Sequence, residues 1–187
     1  MVGLSMLIVP IVLSAVIVFV VSALVWMVLP HHKTDWRALP NEEAVRSALN
    51  AQKARPGMYM IPAGMMGGQG MKDPAVIKKF QDGPVGFVTL RQPGSMSMAP
   101  MMAQSVVFYL VVSTIVAYVA GRTLAAGTDY LHVFRVTGTV AWLAYGFGGI
   151  PDSIWFGRPW GVSLKQVADA LLMALVTAGT FGWLWPK

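Results

Sequence analysis

Long apolar stretches with few or no charged residues alternate with polar connections along this chain, and they dominate its pattern. The first covers residues 4–29, twenty-six positions without a charged side chain. At 1.5 Å per residue, a helix of that length extends about 39 Å, more than the roughly 30 Å hydrocarbon core of a bilayer. Three further apolar stretches cover residues 105–121, 130–150 and 167–185. The pattern therefore predicts four transmembrane helices.

Two competing interpretations of these stretches are weaker. A cleavable signal peptide would explain the first one, but no Lys or Arg precedes it and no small-residue cleavage site follows it, so we expect an uncleaved anchor. Helices buried in a soluble core would explain the others, but four such stretches in 187 residues favour a membrane protein. Tryptophans at the ends of the stretches, such as Trp26 and Trp183, agree, because indole rings prefer the headgroup level.

The polar segment between the first and second stretches, residues 31–103, predicts a small folded subdomain rather than a linker. Asn41 precedes two glutamates and is typical of a helix start, because its side chain can accept a hydrogen bond from the first turn. Asp73 followed by Pro74 is a second helix start. The two helices should end near residues 53 and 81, each shortly before a glycine.

Two extended runs in the same segment, residues 58–61 and 85–90, predict a minimal pair of strands, and the glycine-rich residues 64–70 predict a loop. The predicted fold class is an all-α membrane protein, with four transmembrane helices and a small α+β polar insert between the first and the second. Its predicted parts are the first transmembrane helix (1–30), the polar subdomain (31–103) and a three-helix transmembrane region (104–187).

Composition agrees with a membrane protein and excludes several classes of function. Apolar residues make up 56% of the chain and charged residues 12%, with a mean hydropathy of +0.60. This composition excludes intrinsic disorder. Too few basic residues lie outside the apolar stretches for a soluble nucleic-acid binder. The absence of cysteine from the sequence excludes disulfides, thiolate metal sites and thiol nucleophiles.

The distribution of basic residues predicts an orientation in the bilayer. Lys33, Arg37 and Arg91 belong to the polar segment, and further basic residues lie between the third and fourth stretches. Because basic residues favour the cytoplasmic side, we expect residues 31–103 and 151–166 in the cytoplasm and both termini outside.

The sequence contains no phosphate-binding loop, no His-Glu-x-x-His motif and no Gly-x-Ser-x-Gly motif. The glycine-rich residues 64–70 lack the Gly-Lys-Ser/Thr of a phosphate-binding loop, and three histidines leave few metal or triad combinations. Asp129, Asp152 and Asp169 lie near the ends of apolar stretches and predict no chain of ionisable groups across the bilayer. We therefore expect no enzymatic activity and no cofactor.

Methionine is concentrated in one part of the chain, since nine of the thirteen lie between residues 58 and 102. Thioether sulfur is a soft ligand that suits Cu(I), and His31 and His32 could add imidazoles. The candidate ligands are Met58, Met60, Met96 and Met98. The favoured alternative is that methionine fills irregular packing gaps in a subdomain that lies on a membrane.

Small residues recur every four positions in two of the apolar stretches, which places them on one helix face. Such faces allow helix backbones to approach closely where lipid offers no hydrophobic driving force. These predicted packing seams are Ser113, Ala117 and Gly121 in the second stretch, and Ala170, Ala174, Ala178 and Gly182 in the fourth. The sequence leaves open whether they pack within one chain or against a partner.

The densest group of polar and aromatic side chains lies between the third and fourth stretches. Its members are Asp152, Trp155, Arg158 and Trp160. The aspartate and the arginine can pair across a tight loop while the two indoles lie at headgroup level, so we predict an interfacial anchor. A ligand or lipid-headgroup contact is the alternative.

Three segments resemble an uncharacterised group of small bacterial multi-span membrane proteins. They are Gly83-Pro84-Val85-Gly86, residues 152–160 and Gly179-Thr180-Phe181-Gly182-Trp183-Leu184-Trp185-Pro186. The resemblance covers most of the chain from His31 onward. It implies the cytoplasmic (inner) membrane of a bacterium, and it implies no activity, cofactor or functional residue.

These patterns together favour a non-catalytic accessory or scaffold subunit of a larger membrane complex, in contact with the lipid bilayer and with partner membrane proteins. A metal-handling protein that uses the methionine-rich segment is one alternative. A small oligomeric transporter is another, although the apolar stretches contain few polar groups that could line a path.

Overall fold

The computed structural model describes residues 1–64, 70–95 and 97–187. The described chain is mostly helical, with one small two-stranded sheet. The helices and strands are α1 (Ile8–Val28), α2 (Glu42–Ala51), β1 (Gly57–Ile61), α3 (Pro74–Asp82), β2 (Gly86–Leu90), α4 (Ala99–Thr123), α5 (Tyr130–Gly146), α6 (Ile150–Trp155) and α7 (Trp160–Trp183). The chain divides into two compact units. Unit 1 comprises Met1–Trp36, Ser97–Pro151 and Pro159–Lys187, and unit 2 comprises Arg37–Met96 and Asp152–Arg158.

Three helices of unit 1 are long and apolar enough to cross a membrane. They are α1 together with the 3₁₀ turn before it (Leu4–Val28), α4 and α7, of 25, 25 and 24 residues. Large apolar side chains such as Val9 and Val16 of α1 are exposed on their surfaces, as expected of helices that face lipid. These three helices indicate a multi-pass membrane protein.

The fourth predicted transmembrane helix is not confirmed. α5 ends at Gly146, before the predicted end at residue 150, and its 17 residues extend about 25 Å. α5 is therefore shorter than the three candidate spans, which have 24 or 25 residues. The helix gives way to a 3₁₀ turn at Phe147–Gly149 because glycine loses more conformational entropy in a helix than other residues. The four-span arrangement stays a prediction.

The core of unit 1 forms where α5 and α7 pack against each other. A Cβ atom on Gly138 would lie 3.1 Å from the Cβ of Ala178, and one on Gly146 would lie 3.0 Å from the Cβ of Ala170. The absence of side chains at these two glycines therefore permits the close approach of the helices. Buried apolar side chains that complete the core include Val116, Val133, Ala141 and Phe181.

The two short helices of unit 2 begin at the predicted residues. The side chain of Asn41 accepts a hydrogen bond from the N–H of Ala44 at 3.0 Å, at the start of α2. The side chain of Asp73 accepts one from the N–H of Ala75 at 2.8 Å, at the start of α3. Gly83 follows α3 with a φ of +67°, a conformation that favours glycine. Capping signals therefore locate both helices correctly.

The two predicted strands are confirmed as well. β1 and β2 pair antiparallel, with Met58 opposite Thr89 and Met60 opposite Phe87. Each strand has five residues, and a two-stranded sheet of this size is only marginally stable when isolated. The predicted loop between them lies largely outside the described residues, at positions 65–69.

Candidate functional site

A largely buried group of ionisable side chains joins the segment after α1 to helix α7. It consists of His31, His32, Asp35, Lys165 and Asp169, and we call it the His–Asp cluster. The Nε2 atom of His32 lies 2.6 Å from Oδ2 of Asp169, and the Nε2 atom of His31 lies 2.9 Å from Oδ1 of the same residue. One carboxylate therefore holds both imidazoles.

Local turns and helix periodicity bring these residues together. A 3₁₀ turn that starts at Pro30 follows α1 and ends at His32. The carbonyl oxygen of His32 accepts a hydrogen bond from the N–H of Asp35 at 3.1 Å, which turns the aspartate back toward the imidazole. On α7, Lys165 and Asp169 are four residues apart and share one face of the helix.

Asp35 connects the imidazole of His32 to the ammonium group of Lys165. Its Oδ2 lies 2.6 Å from Nδ1 of His32, and its Oδ1 accepts a hydrogen bond from Nζ of Lys165 at 2.6 Å. Only 3% of the Asp35 side chain is exposed. The hydrogen bonds from Lys165 and from His32 hold the pKa of Asp35 below its usual value. The carboxylate is therefore ionised at neutral pH.

His32 lies between two carboxylates, one at each ring nitrogen. A neutral imidazole has one N–H and one lone pair, so it can donate to only one of them. While both carboxylates are ionised, the second contact requires either the imidazolium form or another cation at that nitrogen. The indole of Trp26 stacks on the ring, with centroids 3.9 Å apart and planes 7° apart, which fixes the ring orientation.

Three residues of the cluster have the donor atoms to hold a metal ion. One ligand atom from each of His31, His32 and Asp169 lies within 4.8 Å of the other two. His32 and Asp169 are buried, whereas 31% of the His31 side chain is exposed. The cluster is therefore accessible from the His31 side.

The packing seam of α4 lies inside unit 1, against other parts of the same chain. Ser113 and Ala117 are fully buried, and the hydroxyl of Ser14 on α1 donates a hydrogen bond to the hydroxyl of Ser113 at 2.9 Å. A Cβ atom on Gly121 would lie 2.6 Å from the carbonyl oxygen of Val2. Ser113 and Gly121 therefore pack against the N-terminal part of the same chain.

The packing seam of α7 is also used within the chain. Ala170, Ala174 and Ala178 are fully or almost fully buried. A Cβ atom on Gly182 would lie 2.8 Å from the ring of Tyr130 on α5. In the part of the chain that the structure describes, residues of both seams are thus packed against other elements of unit 1.

The four residues of the predicted interfacial anchor are only partly brought together. Nη1 of Arg158 lies 3.7 Å from Oδ2 of Asp152 in unit 2, and about half of the aspartate side chain is exposed. Trp155 is largely exposed, and Trp160 is the first residue of α7 in unit 1. An exposed ion pair of this length contributes only about 0–1 kcal/mol.

The candidate Cu(I) ligands do not form a described cluster. Met58 and Met60 lie on the same face of β1 in unit 2, whereas Met98 precedes α4 in unit 1. Met96 lies outside the described residues. Cu(I) binding by this set stays a prediction.

Unit 2 contains a cavity of 520 Å³ that is lined mainly by apolar side chains. The rings of Phe87 on β2 and Phe156 meet edge to face, with centroids 5.3 Å apart and planes 89° apart. Other lining residues include Met60, Phe80 and Trp155. We call this feature the aromatic cavity.

The sequence pattern alone did not reveal the His–Asp cluster. A signal was present in Asp169, because an ionisable residue in a transmembrane stretch needs a partner. Its partner His32 is 137 positions away, a separation that no local spacing rule covers.

Comparison of the chain with protein-family models, with curated proteins and with solved structures found no match.

Proposed function

We propose that this protein is a non-catalytic accessory or scaffold subunit of a larger complex in the cytoplasmic membrane of a bacterium. In this proposal unit 1 anchors the protein in the bilayer and unit 2 binds a partner membrane protein. The aromatic cavity of unit 2 is the observation that carries the proposal. Exposed apolar patches with polar surroundings are typical of protein interaction sites.

The lining of the aromatic cavity supports protein recognition. Phe80, Phe87 and Phe156 are each 37–43% exposed, so their rings are only partly covered within unit 2. Covering apolar surface contributes roughly 25 cal/mol per Å², and aromatic side chains supply many of the anchor residues at protein interfaces. A partner that covers these rings would therefore gain binding free energy from each of them.

The charge of unit 2 defines the partner further. Its two segments contain nine basic and five acidic residues, a net charge of +4. Complementary charge favours encounter with the correct partner and disfavours others. The partner that fits is an apolar segment of a membrane protein with acidic residues beside it.

Site-specific photo-crosslinking in native membranes tests this assignment. Phe87→p-benzoylphenylalanine places the probe in the aromatic cavity, and Val45→p-benzoylphenylalanine on α2 is the matched control, because the two side chains are 37% and 41% exposed. We expect one discrete protein adduct from position 87 and none from position 45. Adducts with lipid alone, or the same protein adduct from both positions, would contradict the proposal.

Complex size gives a second test of the same proposal. After extraction in mild detergent, native mass measurement should show the chain together with other subunits. The substitution Phe156→Ser should release it, because a polar residue replaces an aromatic anchor. A wild-type chain that is extracted only as a monomer would contradict a scaffold role.

The proposal includes four membrane spans, with residues 31–103 in the cytoplasm. The chain has no cysteine, so a single introduced cysteine can be labelled without background. With a membrane-impermeant maleimide on intact spheroplasts, we expect no labelling of Val45→Cys and full labelling of Lys187→Cys. Labelling of Val45→Cys before permeabilisation would contradict the proposed orientation. If neither Val45→Cys nor Lys187→Cys is labelled, both positions lie in the cytoplasm and α5 does not span the membrane.

A further inference from the structure

We propose that His31, His32 and Asp169 bind one divalent first-row transition-metal ion, with Zn²⁺ as the reference ion. This inference goes beyond the accessory role, since it concerns residues of unit 1 only and is independent of any partner of unit 2.

The donor set selects this class of ion. Two imidazole nitrogens and one carboxylate oxygen are ligands that Zn²⁺ and its neighbours in the first row prefer. Ca²⁺ and Mg²⁺ prefer sites made of oxygen ligands alone, and Cu(I) prefers sulfur ligands. None of these three ions matches a site with two histidines. Three protein ligands leave a fourth tetrahedral position for water.

Side-chain rotation is needed to admit an ion. Around a tetrahedral Zn²⁺ with bonds of about 2.0–2.1 Å, neighbouring ligand atoms lie about 3.3 Å apart. In the His–Asp cluster Nε2 of His31 lies 2.9 Å from Oδ1 of Asp169, Nε2 of His32 lies 2.6 Å from Oδ2, and one ligand atom from each residue lies within 4.8 Å of the other two. The nitrogen–oxygen contacts must therefore lengthen by roughly 0.4–0.7 Å, and both imidazoles must turn toward one oxygen of Asp169.

A carboxylate outside the ligand set already orients His32 for metal binding. Histidine ligands usually donate their second ring N–H to a carboxylate or carbonyl, which fixes the tautomer and raises the basicity of the metal-binding nitrogen. Asp35 lies 2.6 Å from Nδ1 of His32 and is itself held by Lys165. With Nδ1–H donating to Asp35, the lone pair of Nε2 points toward Asp169, where the ion would bind.

The charge of the His–Asp cluster also favours a cation. With neutral imidazoles, the two carboxylates and the ammonium group of Lys165 leave a net charge of −1 in a mostly buried place. A negative charge in such a place attracts a cation. A divalent metal ion between the imidazoles and Asp169 would change the net charge from −1 to +1.

Zinc titration of the full-length protein tests the inference. The chain is purified in mild detergent without a polyhistidine tag, treated with a chelator and titrated with Zn²⁺ against a chromophoric indicator. We expect one ion per chain, and at least 10-fold weaker binding for His31→Ala, which removes the most exposed ligand. His132→Ala is the matched control, because His132 is the remaining histidine of the chain and is exposed on α5.

Two further measurements separate metal ligation from loss of folding. Asp35→Asn keeps all three ligands and should weaken Zn²⁺ binding about 10- to 100-fold by removing the carboxylate behind His32. Co²⁺ bound to the wild-type chain should show the visible absorption of a four-coordinate nitrogen and oxygen site. His31→Ala should lose that spectrum, and His132→Ala should keep it.

The same experiments define the results that overturn the inference. Equal Zn²⁺ affinity of the wild type and His31→Ala would overturn it. Loss of Zn²⁺ binding in His132→Ala alone would also overturn it. A monodisperse wild-type chain that binds no stoichiometric Zn²⁺ would show that the His–Asp cluster is only a structural link between the segment after α1 and α7.

Discussion

The ion pairs of the two units differ in burial and in the sequence separation of their members. In unit 2 the pair of Glu43 and Arg46 joins residues three apart, with both side chains mostly exposed. In unit 1 the contact of His32 with Asp169 joins residues 137 apart, with both side chains at most 10% exposed. The first pair contributes little because water and salt screen it, whereas the second holds distant parts of the chain together.

Packing between distant parts of the chain stabilises unit 1, whereas local interactions form most of unit 2. Unit 1 depends on close approach at particular glycines between α5 and α7, and unit 2 depends on capped short helices and a two-stranded sheet. We therefore expect substitutions in unit 1 to reduce the stability of the whole unit, and substitutions at the helix starts of unit 2 to act locally.

The largest effect is expected for Asp169→Ala. It removes the carboxylate that holds both imidazoles and leaves buried polar groups without a partner, which should lower the free energy of unfolding by about 3 kcal/mol or more. Thermal and denaturant unfolding in detergent measure the loss. The control Asp152→Ala removes a half-exposed carboxylate and should cost less than about 1 kcal/mol. Equal losses would contradict the contrast between the units.

A smaller effect is expected for Gly138→Leu. Even the first side-chain atom would lie 3.1 Å from Ala178, so a leucine must displace α7 and should lower the free energy of unfolding by about 1–3 kcal/mol. Gly148→Leu is the matched control, because a Cβ atom there meets nothing within 4 Å. If both variants unfold at the same temperature, close contact between α5 and α7 does not limit the stability of unit 1.

A local effect is expected at the start of α2. Asn41→Ala removes the acceptor for the N–H of Ala44 and should destabilise α2 by about 1 kcal/mol. Hydrogen exchange should therefore become faster for the amides of α2 and stay unchanged for those of α4. Faster exchange in both helices would show that the two units unfold together.

The smallest effect is expected for Glu43→Gln. The pair with Arg46 is highly exposed, so its loss should change the free energy of unfolding by less than about 0.5 kcal/mol. Repeating the unfolding measurement in high salt should leave this small difference unmeasurable. A loss of several kcal/mol would mean that exposed charges stabilise unit 2 more than its capped helices do.

Sequence patterns predicted unit 2 better than unit 1 for a physical reason. The starts of α2 and α3 depend on Asn41 and Asp73, whose capping bonds reach only two or three residues ahead. The apolar stretches likewise predicted the three helices that can cross a membrane. The fourth predicted span, residues 130–150, is not confirmed, because the glycines from Gly146 onward end α5 within a stretch that is still apolar.

The His–Asp cluster could not be predicted, since it depends on how α1 and α7 lie side by side. Spacing placed Lys165 four residues before Asp169, yet Lys165 bonds to Asp35 rather than to Asp169. That pairing joins residues 130 positions apart. The packing of α7 beside the segment that follows α1 determines this pairing.

The position of the two histidines has a mechanical consequence. His31 and His32 come directly after α1, and Asp169 lies well inside α7. If the first helix slid along the last by one turn, about 5.4 Å, both imidazoles would lose their carboxylate. The hydrogen bonds from the imidazoles of His31 and His32 to Asp169 therefore oppose axial sliding of the first helix, and they help to set its depth in the bilayer.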